Sequence, residues 1–263
     1  LLAIAVIVSY TAATLPDDNL RVSFLDVGEG DAILIQKGSQ QILVDGGPSP
    51  QAISLGFGKE MPFWDRTIEL VVLTHPHSDH LSGLVEVLDR YKVEQVLSPN
   101  LDYDSLLYNE WPNLLKEKDI KCATAQAGQQ IELAEEVVIK VLNPQTPLLT
   151  GTESDVNNNG VVLHITMDEV SFLLTADIMR EAELELINQR ANLTSIVLKV
   201  AHHGSDTSTS MELLAVVNPQ VAVISAGADN PFGHPCPEVM DRLEARIGSE
   251  NIYRTDEHGN IEF

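Results

Sequence analysis

Thr74-His75-Pro76-His77-Ser78-Asp79-His80 is the stretch that decides how this chain is read. Three of the chain's eight histidines and one aspartate fall within six consecutive residues. Neutral imidazole and carboxylate are ligands for zinc, manganese or iron. The stretch continues Leu70–Thr74, a continuous apolar run of the kind a strand covered on both faces needs. A turn this dense in donors, held at its base by a strand, can aim several of them into one cavity. His75 and His77, two residues apart, can face one ion, and Asp79 and His80 can serve a second.

Working outward, Leu81–Tyr91 has helical spacing, with Leu84, Val87, Leu88 and Tyr91 on one side. Val96–Leu97 reads as the next strand and completes a βαβ unit. Upstream, Arg21–Leu25, Ala32–Gln36 and Gln41–Val44 are strand-like runs between glycine-rich turns. Downstream, Ser105–Glu117, Arg180–Arg190 and Pro237–Arg246 read as helices. Gln129–Leu142 and Gly160–Thr175 read as strand pairs, the second turning at Met167-Asp168-Glu169, and Ile196–Val200 and Val221–Ile224 as single strands. Pro144–Asn159 and Gly227–Pro237 are polar loops. Two β-rich halves, each with helices, predict a sheet-on-sheet core covered by helices outside. The polar clusters fall just after strands, where open sheets bind ligands.

His75-Pro76-His77-Ser78-Asp79-His80 matches the HxHxDH metal motif of the metallo-β-lactamase superfamily, and flanking segments carry the likeness over most of the chain. Leu25-Asp26-Val27-Gly28-Glu29-Gly30-Asp31-Ala32 resembles the LDVGQGDA opening of the hydrolase domain in ComEC-type DNA-uptake competence proteins. Leu43-Val44-Asp45-Gly46-Gly47, Leu173-Leu174-Thr175-Ala176-Asp177 and Leu198-Lys199-Val200-Ala201-His202-His203-Gly204-Ser205 resemble later motifs. Gly233-His234-Pro235 and Thr255-Asp256 resemble the closing ones. The resemblance implies an α/β fold, a four-layer αββα sandwich. It also implies one or two divalent ions, zinc or manganese, and no organic cofactor.

With that resemblance, the expected metal ligands are His75, His77, Asp79, His80, Asp177 and His203. Asp177 follows a strand, and its two oxygens can bridge two ions. His202 remains the alternative to His203, which Gly204 favours by allowing close backbone approach. Asp79, His202 and His234 are the expected catalytic groups. Asp45 either orients a ligand histidine or closes an Asp-Gly-Gly turn; Asp26 and Asp31 either support the site or cap turns. Asn157, Asn158 and Ser205 are candidate substrate contacts, with a solvated loop as the alternative for the asparagines. His164 and His258 read as ordinary fold residues. Three positions depart from the family pattern: Glu29 stands for Gln, Ala176 for Gly and Gly160 for Ser. No histidine lies between His80 and His164, so the first ion lacks a third imidazole.

Composition limits the function. The chain has 263 residues, 44% hydrophobic and 5% aromatic, enough for one large domain or two small ones. Its 39 acidic and 16 basic residues give a net charge of −23. That surface repels polyanions and counts against nonspecific DNA binding, although bound cations reverse the local sign. Two cysteines, Cys122 and Cys236, make no disulfide framework and no zinc finger. The chain begins at Leu1 rather than Met, and Leu1–Val8 is wholly apolar. Residues 1–15 are therefore expected to be the end of a transmembrane helix or a truncated anchor, with a signal-peptide core or a buried element as alternatives. The hydrolase domain is expected over 20–263.

The expected function is a metal-dependent hydrolase, a phosphodiesterase or nuclease that degrades the non-transported DNA strand in competence. Its expected partners are single-stranded DNA and the membrane-channel portion of the same longer protein. The expected location is membrane-attached, with the domain on the extracytoplasmic side. The alternatives are a phosphodiesterase acting on a small or cell-wall phosphodiester, and a catalytically weak module associated with DNA or the channel.

Overall fold

The computed structural model describes residues 18–61, 65–134 and 136–263. The apolar run expected to end a membrane helix, 1–15, lies outside them. Among the described residues no helix is long and apolar enough to cross a membrane.

Two seven-stranded sheets form the centre. The first holds β1 (Leu20–Phe24), β2 (Ile33–Lys37), β3 (Gln40–Val44), β4 (Thr67–Val72), β5 (Lys92–Ser98) and β6 (Lys121–Thr124), side by side in that order. The second holds β7 (Gln130–Leu133), β8 (Val137–Asn143), β9 (Val162–Met167), β10 (Val170–Leu174), β11 (Val197–Lys199), β12 (Val221–Ile224) and β13 (Ile252–Arg254). The last strand, β14 (Ile261–Glu262), returns to pair with β1. In each sheet an antiparallel part gives way to a parallel one, beginning at β3–β4 in the first and at β10–β11 in the second.

Residue alternation explains the layering. Ile33, Ile35, Ile42 and Val44 enter the core between the sheets, while Leu34 and Leu43 point the other way, under helices. In the second sheet Leu163, Ile165, Phe172 and Leu174 face inward, and Val162 and Leu173 face outward. A strand buried on both faces must be apolar at nearly every position. Each of these side chains contributes about 1.5–3 kcal/mol by leaving water. Three helices, α1 (Pro50–Glu60), α2 (Ser78–Arg90) and α3 (Leu106–Glu117), cover the first sheet. After a single turn α4 (Asp155–Asn158), α5 (Arg180–Asn188), α6 (Met211–Val217) and α7 (Pro237–Ile247) cover the second, and a short α8 (Thr255–His258) precedes β14. The fold is the four-layer αββα sandwich.

The sequence reading leaves 50–60 unassigned, yet it forms α1. Ser49 caps it by accepting from Ala52 N at 3.2 Å, and Pro50 opens the first turn. Gly56 and Gly58 dilute its helical pattern. Ser105–Glu117 folds as expected, with Ser105 as the cap of α3.

The strand ends place the functional segments. The chain leaves β3 at Asp45, β4 at Thr74–His80, β10 at Asp177, β11 at His202–His203 and β12 at Ser225, all at carboxyl ends. One close crossing fixes the first two of these together. A Cβ on Gly83 would sit 1.8 Å from Gly46 O, and one on Gly46 would sit 2.5 Å from Leu84 N. Gly46 N donates to His80 O at 2.8 Å, and Gly83 N donates to Gly47 O at 3.0 Å. Two glycines thus let α2 lie directly on the loop that carries Asp45. Gly83→Ala must push them apart and is expected to cost about 1–3 kcal/mol, as overpacking does. Gly58→Ala, in α1 with nothing within 4 Å of the new methyl, is expected to raise stability by about 0.5–1 kcal/mol. Urea denaturation of both variants checks the pair, and equal midpoints would contradict the crossing.

Candidate metal centre

Four side chains from three chain segments converge: Asp79, His80, Asp177 and His203, with ligand atoms all within 4.8 Å of one another. Asp177 Oδ2 lies 3.3 Å from His80 Nε2 and 3.3 Å from His203 Nε2. Asp79 Oδ2 lies 3.5 Å from each of the same two nitrogens. His75 Nε2 approaches Asp177 Oδ2 at 3.7 Å and His77 Nδ1 at 3.2 Å, which puts the remaining imidazoles beside the cluster.

Hydrogen bonds behind the rings aim them. Asp45 accepts from Thr74 N at 2.8 Å and from Thr74 Oγ1 at 2.6 Å, and its Oδ2 takes the His80 Nδ1 proton at 2.8 Å. His203 Nδ1 donates to Ser225 O at 2.9 Å. His75 Nδ1 contacts Thr74 Oγ1 at 3.0 Å. In each ring Nε2 is thereby left to face the cluster, the arrangement in which a hydrogen-bonded far nitrogen fixes the tautomer of a metal-binding histidine. Four residues here hold left-handed backbone although none is glycine: Asp45 (φ 58°), Ala176 (φ 47°), His202 (φ 50°) and His203 (φ 54°). Such strain gathers where surrounding structure forces a functional geometry.

His202 and His203 are separated by this turn. His203 joins the cluster, while His202 stands beside it, with Nδ1 3.3 Å from Thr207 Oγ1 and Nε2 3.5 Å from Asn157 Nδ2. His234 comes from the 227–237 loop, its ring centroid 5.9 Å from that of His202 and 6.4 Å from that of His203. Its Nδ1 meets Glu29 Oε1 at 2.9 Å, and the other Glu29 oxygen accepts from Gly227 N.

Some expected residues sit elsewhere. Asp26 is exposed and accepts from Gly28 N at 3.3 Å, so it caps the glycine turn. Asn158 accepts from Met179 N and Ala182 N at the start of α5 and donates to Glu181, which commits both ends of its amide to the fold. Ser205 Oγ is tied to Thr207 at 2.9 Å. Asn157 differs: its Oδ1 is buried without a hydrogen-bond partner next to His202. His164 bonds Thr194 O and His258 bonds Arg254 O, both as fold residues.

The sequence reading missed Lys199. Its ammonium is fully buried, 2.5 Å from Asp31 Oδ2 and 3.7 Å from Asp177 Oδ1, and it donates to Ala176 O. The signal was present, because a lysine inside the apolar run Ile196–Val200 must find a carboxylate in the interior. Lys199 supplies the cation for Asp31. Among the described residues the carboxylates around Asp177 share that one lysine, which approaches Asp177 only at 3.7 Å. Asp31 Oδ1, Asp177 Oδ1 and His203 Nε2 are buried without hydrogen-bond partners. Such orphaned polar atoms are costly, and a donor set of two imidazoles and two carboxylates suits zinc or manganese. The residues fit a divalent ion.

Protonation follows the same imbalance. Burial opposes charging His80, but Asp177, Asp79 and Asp45 outweigh it and hold the ring well above its ordinary range. Burial likewise opposes charging His203, but Asp177 and Asp79 push it up to about 10. Burial alone would raise Asp79 and Asp177, yet the two histidines hold both carboxyls below their usual range. Burial lowers His75, His77 and His202, which stay neutral and able to donate a lone pair.

Residues 25–228 match the family described as the metallo-beta-lactamase superfamily. The chain is 27% identical over 259 residues to ComE operon protein 3 of Bacillus subtilis, covering 92% of this chain and 32% of that protein. It is 27% identical over 263 residues to competence protein ComA of Neisseria gonorrhoeae, covering 100% of this chain and 35% of that protein. The chain thus spans about a third of the length of these curated relatives. Among solved structures, the metallo-beta-lactamase fold protein YhfI from Bacillus subtilis superposes with a TM-score of 0.63 at 12% identity, covering 93% of this chain and 100% of that one. At that identity the likeness is one of fold.

In the metal-free protein His80 and His203 carry protons that a divalent ion has to displace. Titrating metal-free protein with zinc or manganese at pH 7 is expected to release between about one and two protons per ion. Affinity is expected to rise with pH toward about 10, where His203 loses its proton. Calorimetry in buffers of different ionisation enthalpy measures the release, and heats independent of buffer would rule the arrangement out.

Proposed function

The chain belongs to the metallo-β-lactamase superfamily, and from that premise we propose that it is a metal-dependent phosphodiesterase acting on single-stranded DNA. It would form the nuclease unit of a competence protein and degrade the strand that is not imported. The observation that carries the reading is the cluster of Asp79, His80, Asp177 and His203, whose orphaned buried atoms call for a cation. The likeness to competence proteins supports DNA as the substrate. In this reading residues 20–263 are the hydrolase domain. Residues 1–15 are the end of a membrane anchor, and the domain lies on the extracytoplasmic side, joined to the channel portion of a longer protein.

The four clustered side chains would hold one ion, and His75 and His77 with Asp177 would hold a second. A bound divalent ion supplies Lewis-acid polarisation of a phosphoryl oxygen and makes water acidic enough to react near neutral pH. The chain's own groups do the rest. Asp45 and Ser225 O keep the His80 and His203 rings turned toward the cluster. Lys199 pairs with Asp31 beside the cluster. Asp79, with 31% of its side chain exposed while its three partners are buried, is the carboxylate placed to take the proton of the attacking water. Water oxygen adds to phosphorus as the bond to the leaving oxygen breaks. His234, held at Nδ1 by Glu29, delivers the proton that this oxygen needs from Nε2. His202 and Asn157 stand where a non-bridging oxygen can be met.

The net charge of −23 favours a second reading, a small phosphodiester as substrate. Purified chain loaded with manganese or zinc is expected to cleave single-stranded DNA, and Asp177→Asn is expected to abolish cleavage. A folded, metal-loaded protein that leaves DNA intact across pH, while turning over chromogenic diesters, selects the small substrate instead. The proton-donor role has its own readout. Glu29→Gln and His234→Ala are expected to lower kcat on DNA by about 10²–10⁴-fold, the range of general acid catalysis. The loss should be far smaller on a p-nitrophenyl diester, whose leaving group needs no proton. Equal losses on both substrates would remove His234 from that role.

A further inference from the structure

A chain of net charge −23 has to hold a polyanion by something other than lysines and arginines. The one lysine at the centre, Lys199, is fully buried against Asp31 and Asp177 and faces no substrate phosphate. Elsewhere Lys37, Arg90, Lys92, Lys118, Arg180 and Arg254 are paired with carboxylates. Counterion release, the usual source of DNA affinity, then works against a net repulsion.

An exposed aromatic ring stands beside the proton donor. Phe232 is 65% exposed, and its ring lies nearly parallel to that of His234, at 20° with centroids 5.6 Å apart. The loop presenting it is fixed from within. Asn230 Oδ1 accepts from Phe232 N at 3.2 Å and His234 N at 2.9 Å, while Asn230 Nδ2 donates to Gly227 O and His234 O. One asparagine thus ties both ends of the loop and both backbone amides that set the two rings. An exposed ring on a loop held by these hydrogen bonds is pre-organised for contact. Tyr103, half-buried, meets His77 edge-on with centroids 5.3 Å apart.

We propose that Phe232 is a stacking platform for an unpaired nucleobase of the scissile strand, so that base stacking rather than phosphate pairing gives this site its hold on single strands. The proposal rests on the phosphodiesterase reading above and adds the feature of the substrate that is recognised. Every base has a π-face, so such a platform is indifferent to sequence. Bases in a duplex are stacked on one another and cannot reach it, so the same ring selects single strands.

The experiment compares manganese-loaded wild type, Phe232→Ala, Phe232→Leu and Phe232→Trp on a single-stranded oligonucleotide and on an abasic oligonucleotide of equal length. Wild type is expected to show a KM about 5- to 150-fold lower for the oligonucleotide with bases, the range that loss of one base–aromatic stack carries. Ala and Leu are expected to raise KM on that oligonucleotide by a similar factor while kcat falls much less. Trp is expected to restore KM, with indole fluorescence quenched on titrating the oligonucleotide. Leu keeps apolar bulk without a ring face, so a Leu variant as good as wild type overturns the proposal. Equal KM for abasic and normal strands also overturns it, while leaving the nuclease reading intact. No cleavage of either strand, with small diesters still turned over, ends the nuclease reading and this proposal with it.

Discussion

Asp177 is buried just past the carboxyl end of β10, with too little positive charge around it. Asp31, Asp45 and Asp177 are all buried, and Lys199 is the single fixed cation among them. Uncompensated buried charge is among the most expensive things a fold can contain. In the metal-free protein two imidazoles answer the imbalance by holding protons, which makes His80 and His203 surrogate cations. A divalent ion answers it better, because it also satisfies the lone pairs that protonated rings leave orphaned. The rest of the architecture keeps this cluster dry and correctly aimed.

The aiming is done by backbone as much as by side chains. Gly30 approaches Asp79 so closely that a Cβ would sit 2.1 Å from its carbonyl oxygen. Gly46 and Gly83 meet at the crossing of α2 with the loop after β3. These contacts draw three sequence segments into one rigid body before any ligand is present. The second sheet contributes its share through strained turns at Ala176 and at His202–His203. The left-handed pair of histidines sends one ring into the cluster and the other to its edge. Two adjacent, chemically identical residues thus acquire different surroundings.

The surface and the pocket have opposite demands. A net charge of −23 keeps polyanions away in bulk, whereas the reaction proposed here needs a phosphodiester at Asp177. A bound cation reverses the sign only locally. Contacts that do not depend on charge then carry more of the recognition, and the rigid loop of Phe232 and His234 offers one.

The sequence by itself determined the layers and most of the side chains that converge at the site. Continuous apolar runs such as Leu70–Thr74 and Ile196–Val200 fixed strands buried on both faces, because hydrophobic patterning is local and survives without coordinates. Three imidazoles in six residues fixed the chemistry, because so dense a donor set has few other uses. Helix α1 was hidden, since a capped helix with two internal glycines has a weak periodicity. Only the tertiary structure decided which of His202 and His203 enters the cluster, that Asp31 lies beside it and Asp26 does not, and that Asn158 is held by the start of α5. It also revealed the pairing of Lys199 with Asp31 and of Glu29 with His234, which lie 168 and 205 residues apart in the chain. Contacts across such distances depend on where two sheets place their strand ends, and no local pattern encodes that.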